Sequence, residues 1–68
     1  MNLVDKIMAY ENNEMSDQEI IDFFQELVLE DKLHGLQGHY GRTASALIEY
    51  GYILTKKEYH LQLVKEEE

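Results

Sequence analysis

The segment Ser16-Asp-Gln-Glu19, followed by Ile20, Phe23, Phe24, Leu27 and Val28, constrains the fold more than any other part of this chain. A serine three positions before a glutamate is a capping box: the hydroxyl accepts from the N3 amide and the carboxylate reaches back to the cap amide. Met15, just before it, is placed to staple against Ile20. The apolar residues then recur on one helical face while Asp22, Gln25, Glu26 and Glu30 fall outside it, which predicts a helix with one apolar and one acidic side. Ile21 and Leu29 widen the apolar stripe and predict a second contact, with another element or another protomer.

Other helices flank this one. Leu3, Val4, Ile7, Met8 and Tyr10 recur at helical spacing and predict a helix from about Leu3 to Glu11, with Asn2 as N-cap and Asn12-Asn13 as the turn after it. The central helix should fray near Asp31-Lys32, because Gly35 and Gly38 interrupt the pattern and Leu33, His34, Leu36 and Gln37 read as a linker. Tyr40, Ala44, Leu47 and Ile48 predict another helix from about His39 to Tyr50, ended by Gly51 in the left-handed conformation. Tyr52-Ile-Leu54 should then cross the core or pair as a short strand. Thr55-Lys-Lys-Glu58 is a second capping box, introducing a C-terminal helix with Tyr59, Leu63 and Val64 and a disordered end from Lys65. The expected architecture is all-α, a small three- or four-helix domain over residues 1–54 with a helical extension over 55–68 that ends in a frayed acidic tail.

Sixty-eight residues make one domain, and so short a chain buries little core by itself, so a homodimer is expected. With no cysteine there is neither a disulfide framework nor a thiolate zinc site. No apolar run suits a signal peptide or a membrane span, so a cytoplasmic location without membrane contact is expected. The formal net charge is −8 and disfavours direct nucleic-acid binding. That charge is unevenly distributed. Asp5 through Asp31 carries nine acids against Lys6 alone, whereas Lys32 to Lys65 is net +3 before the closing run Glu66 to Glu68. Such polarity suits head-to-tail association or docking on a basic surface, and it equally suits a solvated acidic face.

The stretch Leu36-Gln-Gly-His-Tyr-Gly-Arg-Thr-Ala-Ser-Ala46 gathers the only arginine, two of the four glycines, a histidine and a tyrosine at a helix start. Gln37, His39, Tyr40, Arg42 and Thr43 form a candidate recognition patch, in which Arg42 and free backbone N–H groups would hold a carboxylate or phosphate while Tyr40 or His39 stacks or donates. The competing structural reading pairs Arg42 with Glu26 or Glu30 and puts Tyr40 in the core. No phosphate-loop pattern accompanies the glycines. His34, His39 and His60 lack metal-ligand spacing, so neither a metal nor another cofactor is expected. Ser16 is accounted for as a cap and Ser45 lies among alanines without a neighbouring base, which argues against an enzyme. The five tyrosines either seed an interface or enlarge a small core.

Met1 to Glu11, Ile20 to Leu27 and Leu36 to Ala44 together resemble a group of very short proteins of tailed bacteriophages that carry no assigned activity. The resemblance covers most of residues 1–52, and the chain departs from its pattern after Ile53. It implies an accessory factor that binds and inhibits or modulates a host protein in the host cytoplasm, with counter-defence as one such role. Two other functions fit the residues. In an acidic nucleic-acid mimic, Asp17, Asp22, Glu26 and Glu30 would imitate phosphates. In a sponge, Arg42 and helix N–H groups would hold a phosphorylated small signalling molecule. Should neither set of residues matter, an apolar interface through Ile21, Leu29 or Tyr52 remains.

Overall fold

The structure, a computed structural model, describes residues 2–66, with side chains as far as Leu63. It is all-α among those residues: α1 (Leu3–Glu11), α2 (Asp17–Leu29), α3 (Gly38–Glu49) and α4 (Lys56–Glu66), with a short 3₁₀ turn at Leu33–Gly35 between α2 and α3. Helix starts follow their local chemistry. Asn2 Oδ1 accepts from the Asp5 amide at 2.9 Å. Ser16 and Glu19 complete their capping box, with Ser16 Oγ accepting from the Glu19 amide at 3.2 Å and Glu19 Oε1 accepting from the Ser16 amide at 3.0 Å. The Ser16 amide foremost, and then its hydroxyl, hold the Glu19 carboxyl below the usual carboxylate range.

The first three helices end alike. Asn13, Asp31 and Gly51 each adopt positive φ, at 58°, 56° and 82°. The next amide returns to the helix five residues back: Glu14 to the Ala9 carbonyl, Lys32 to Leu27 and Tyr52 to Leu47. These are Schellman turns, so α2 does not fray at Asp31 but is closed there by a residue whose short polar side chain tolerates the left-handed region.

The core lies between α2 and α3 and is closed by α1 and the 50–55 segment. Phe23, Phe24, Leu27, Tyr40, Ala44 and Ile53 are buried, with Leu3, Ile7 and Tyr10 of α1 packed against them. Tyr10 meets Phe24 edge-on, with centroids 5.2 Å apart and planes at 78°. Such aromatic pairs stabilise by about 0.5–1.5 kcal/mol beyond area burial. Met15 and Ile20, the expected staple, both pack against this cluster.

Two expectations need correction. Residues 52–54 form neither a strand nor an extended crossing. They follow the Schellman turn, which drops Ile53 into the core, and Gln25 fixes Leu54 by accepting its N–H and donating to its carbonyl, both at 2.9 Å. The C-terminal helix starts at the box of Thr55–Glu58 and continues through Glu66, past the expected frayed start at Lys65; Glu67 and Glu68 lie outside the described residues. No described side chain of α4 enters the buried cluster, and the molecule is elongated. Its extents are 41 × 22 × 21 Å, and its radius of gyration is 12.6 Å, against roughly 11 Å for a compact chain of this length.

Candidate binding surface

Antiparallel packing of α2 and α3 leaves an apolar groove where the start of α2 meets the end of α3. Asp17, Ile20 and Ile21 of α2, Leu47 of α3 and Tyr52 after it form its walls, around a volume of about 240 Å³. Tyr52 is 61% exposed and Tyr50, at the end of α3, is 77% exposed. Large tyrosines left in water beside an apolar depression form the kind of patch that tyrosine-rich interfaces bury. Ile21 lies at the edge of the α2 stripe, half-buried against the core and with its remaining surface on the groove. The sequence had marked Ile21, Leu29 and Tyr52 as an alternative apolar interface; Leu29 sits at the other end of α2, away from this groove.

The polar patch expected at the start of α3 is divided by the helix. Tyr40 is 1% exposed and belongs to the core, against Tyr10 and Phe24, with its hydroxyl donating to the Glu11 carboxylate. It therefore leaves the recognition patch, because a side chain this deep has no face to offer a ligand. Burial foremost, then the Glu11 carboxylate, pushes the Tyr40 hydroxyl above the usual tyrosine range. Gln37 caps α3 by backbone geometry alone, without a side-chain bond. His39 and Thr43 are half-buried and four residues apart on one side of α3, with the His39 ring 4.4 Å from that of Tyr40. Arg42 is exposed. The expected acids do not pair with it, because Glu26 bonds Lys6 at 2.7 Å and Glu30 bonds Lys32 at 3.0 Å. Gly35, Gly38 and Gly41 keep negative or ordinary φ, and a Cβ would meet nothing at Gly35 or Gly41 and only Arg42 at Gly38.

The acids on α2 do not form one surface either. Asp22, Glu26 and Glu30, four residues apart, share a stripe, whereas Asp17 lies beyond a third of a turn away at the groove. Asp22 accepts from Gln18 Nε2 at 3.0 Å. With Lys6, Met15, Glu19 and Phe23, Asp22 and Glu26 also line a second depression of about 190 Å³ between α1 and α2, which Lys6 already partly neutralises. Each depression is smaller than the roughly 300 Å³ at which small-molecule pockets begin. No trio of His, Asp or Glu side chains converges as a metal site among the described residues. No described helix is long and apolar enough to cross a membrane.

The fold and this surface define a small all-helical domain that presents an open apolar groove with Tyr52 in its wall. The chain belongs to the family described as a domain of unknown function, DUF7417, whose model matches residues 1–67 and so takes in α4 as well as the body. No curated protein and no solved structure gives a match.

Two contacts that organise the site were missed from sequence. Gln25 had been read as part of the solvated face and Glu11 only as the end of a helix. A glutamine directly after Phe24 and two positions before Leu27 was the one available signal for the first; nothing local marked the second.

Proposed function

We propose that this chain is a non-catalytic binding factor, encoded by a phage, that docks on a host protein in the host cytoplasm and inhibits or modulates it by occupying a surface. The groove of Ile20, Ile21, Leu47 and Tyr52 is its docking surface, with Tyr50 and Tyr52 as the aromatic contacts. The observation that carries this reading is the exposure of Tyr52 in the wall of an apolar groove, with Tyr50 also exposed two residues before it. The phage origin and the host target follow from the resemblance of its first 52 residues to short phage proteins. Arg42, His39 and Thr43 form a separate polar edge that supports the sponge alternative, and the stripe of Asp22, Glu26 and Glu30 supports the mimic.

Recovery of partners from host lysate with the tagged chain, at low and moderate salt, tests the reading by variant. Tyr52→Ala and Ile21→Glu should each reduce capture of the stoichiometric host protein on the order of tenfold or more, as loss of a hot spot does, while Arg42→Ala leaves it unchanged. Capture that survives both groove variants but falls on neutralising Asp22, Glu26 and Glu30, or on raising salt, would replace it with charge mimicry. Recovery of a phosphorylated metabolite, lost with Arg42→Ala, would replace it with the sponge.

A further inference from the structure

We propose that in the free protein the α2–α3 groove is covered by α4 of a second copy, so that the resting state is a dimer with reciprocally exchanged C-terminal helices. The inference rests on the groove being a docking surface and adds the identity of its resident occupant.

The argument starts from what α4 lacks. Leu61 and Leu63 are 54% and 41% exposed, Tyr59 is half-buried, and none of the described α4 side chains, which run to Leu63, joins the buried cluster. A helix of 11 residues is marginal in water when nothing packs on it. Its outer side carries Lys57 one turn before Leu61, a cation and an apolar knob in line. The groove offers the complement in the same order: Asp17 at its edge beside the apolar walls Ile20, Ile21 and Leu47. A helix of this length spans roughly 16 Å, enough to lay Lys57 against Asp17 and Leu61 between the isoleucines and Leu47.

The chain's own α4 does not meet this need. Its Leu61 instead borders a separate depression with Leu54, Glu58 and Gln62. The root of α4 is nonetheless beside the groove, because Gln25 holds Leu54 against α2 two residues after Tyr52. Two copies related by a two-fold axis near this root can therefore exchange helices, and the exchange closes at two chains rather than propagating. The charge that favours this pairing is that of Lys57, since Lys56 at the start of α4 lies 3.7 Å from Asp31 of its own chain. Dimerisation and target binding then compete for one surface.

Sedimentation velocity on the full chain over a concentration series, with circular dichroism on every variant, tests this. The expected mass is twice that of the 8.0 kDa chain. Leu61→Glu should weaken the dimer on the order of tenfold or more without loss of helix, and should leave host-protein capture intact or tighter. Asp17→Lys and Lys57→Glu should each weaken it, and the two together should restore it. A chain that is monomeric throughout, or a dimer untouched by Leu61→Glu and by both charge changes, would overturn the proposal. The two readings fail separately: an unchanged dimer with Leu61→Glu removes helix exchange while capture lost with Ile21→Glu keeps the groove, and the reverse pattern keeps the dimer but removes the groove as the target's site.

Discussion

Helices α2 and α4 open on the same device, a hydroxyl residue three positions before a glutamate, and both boxes are formed, at Ser16–Glu19 and at Thr55–Glu58. Their environments are opposite. α2 buries Phe23, Phe24 and Leu27, whereas α4 leaves Leu61 and Leu63 in water. A cap sets where a helix begins, and the spacing of the apolar residues decides whether it packs. In α2 the sequence runs Ile20, Phe23, Phe24, Leu27, all within one face. In α4 Tyr59 and Leu63 share one face while Leu61 lies on the opposite one, so its described apolar residues are too few on either side to form a stripe like that of α2.

The largest test of this contrast is a pair of truncations. Phe24→Ala removes a side chain that is 0% exposed and should cost about 3–5 kcal/mol, most or all of what a domain of this size has. Leu61→Ala, measured where the chain is monomeric, should change stability by no more than about 0.5 kcal/mol. Thermal and urea melts followed by circular dichroism separate the two. A loss of several kcal/mol with Leu61→Ala would make α4 part of the core and break the comparison.

Next in size is the joint between the regions. Gln25→Ala removes both bonds to Leu54 and leaves a half-buried N–H and C=O without partners, at a cost of about 2 kcal/mol. Hydrogen exchange should show amide protection in α4 and the 50–55 segment falling well before that of α1. Equal loss in both would mean that Gln25 supports the core and not the root of the arm.

The body has a comparable internal tie. Tyr40→Phe deletes the hydroxyl that donates to Glu11 and should cost about 1–2 kcal/mol near neutral pH. Because the folded state raises the Tyr40 value above that of an unfolded tyrosine, its contribution is complete below about pH 10 and is lost as pH rises beyond it, when the unfolded chain releases a proton that the folded one retains. Melting temperature against pH should therefore fall above about pH 10 in the parent chain and less steeply in Tyr40→Phe. Equal slopes would assign the alkaline loss to the other tyrosines.

What could be read before the structure divides along sequence distance. Asn2, the Ser16 box and Gly51 act within a turn of themselves, so residue type and spacing were sufficient, and the all-α class followed. The Gln25–Leu54 and Glu11–Tyr40 bonds each join residues 29 apart in sequence. Their geometry exists only once α2 and α3 are packed, and it turns a residue read as solvated and one read as a binding contact into internal ties. Asp31 shows an intermediate case: its left-handed turn is local chemistry, but an aspartate permits several conformations, where a glycine at the same position would have announced the cap. The groove was half legible. Ile21 and Tyr52 could be marked as apolar residues without a partner, but Leu47 joined them only through the antiparallel approach of α3.

The smallest effect gives the sharpest form of the comparison, because the same chemical change is made at both caps. Ser16→Ala should lower global stability by about 1 kcal/mol, since α2 unfolds only with the core that it forms. The Glu19 carboxyl is held low foremost by the Ser16 amide, which this change keeps, and then by the hydroxyl, which it removes; the stability from both is present above the unfolded carboxylate value and is lost as pH falls through the folded one. Ser16→Ala should accordingly flatten part of the acid limb of the stability curve. Thr55→Ala removes the same kind of hydroxyl bond, yet in the monomer it should leave the global transition in place and reduce only the helical signal and amide protection of α4, whose unfolding exposes little that was buried. If instead the two substitutions lower the same cooperative transition equally, α4 is thermodynamically one with the body, and it is unavailable for exchange with a second copy.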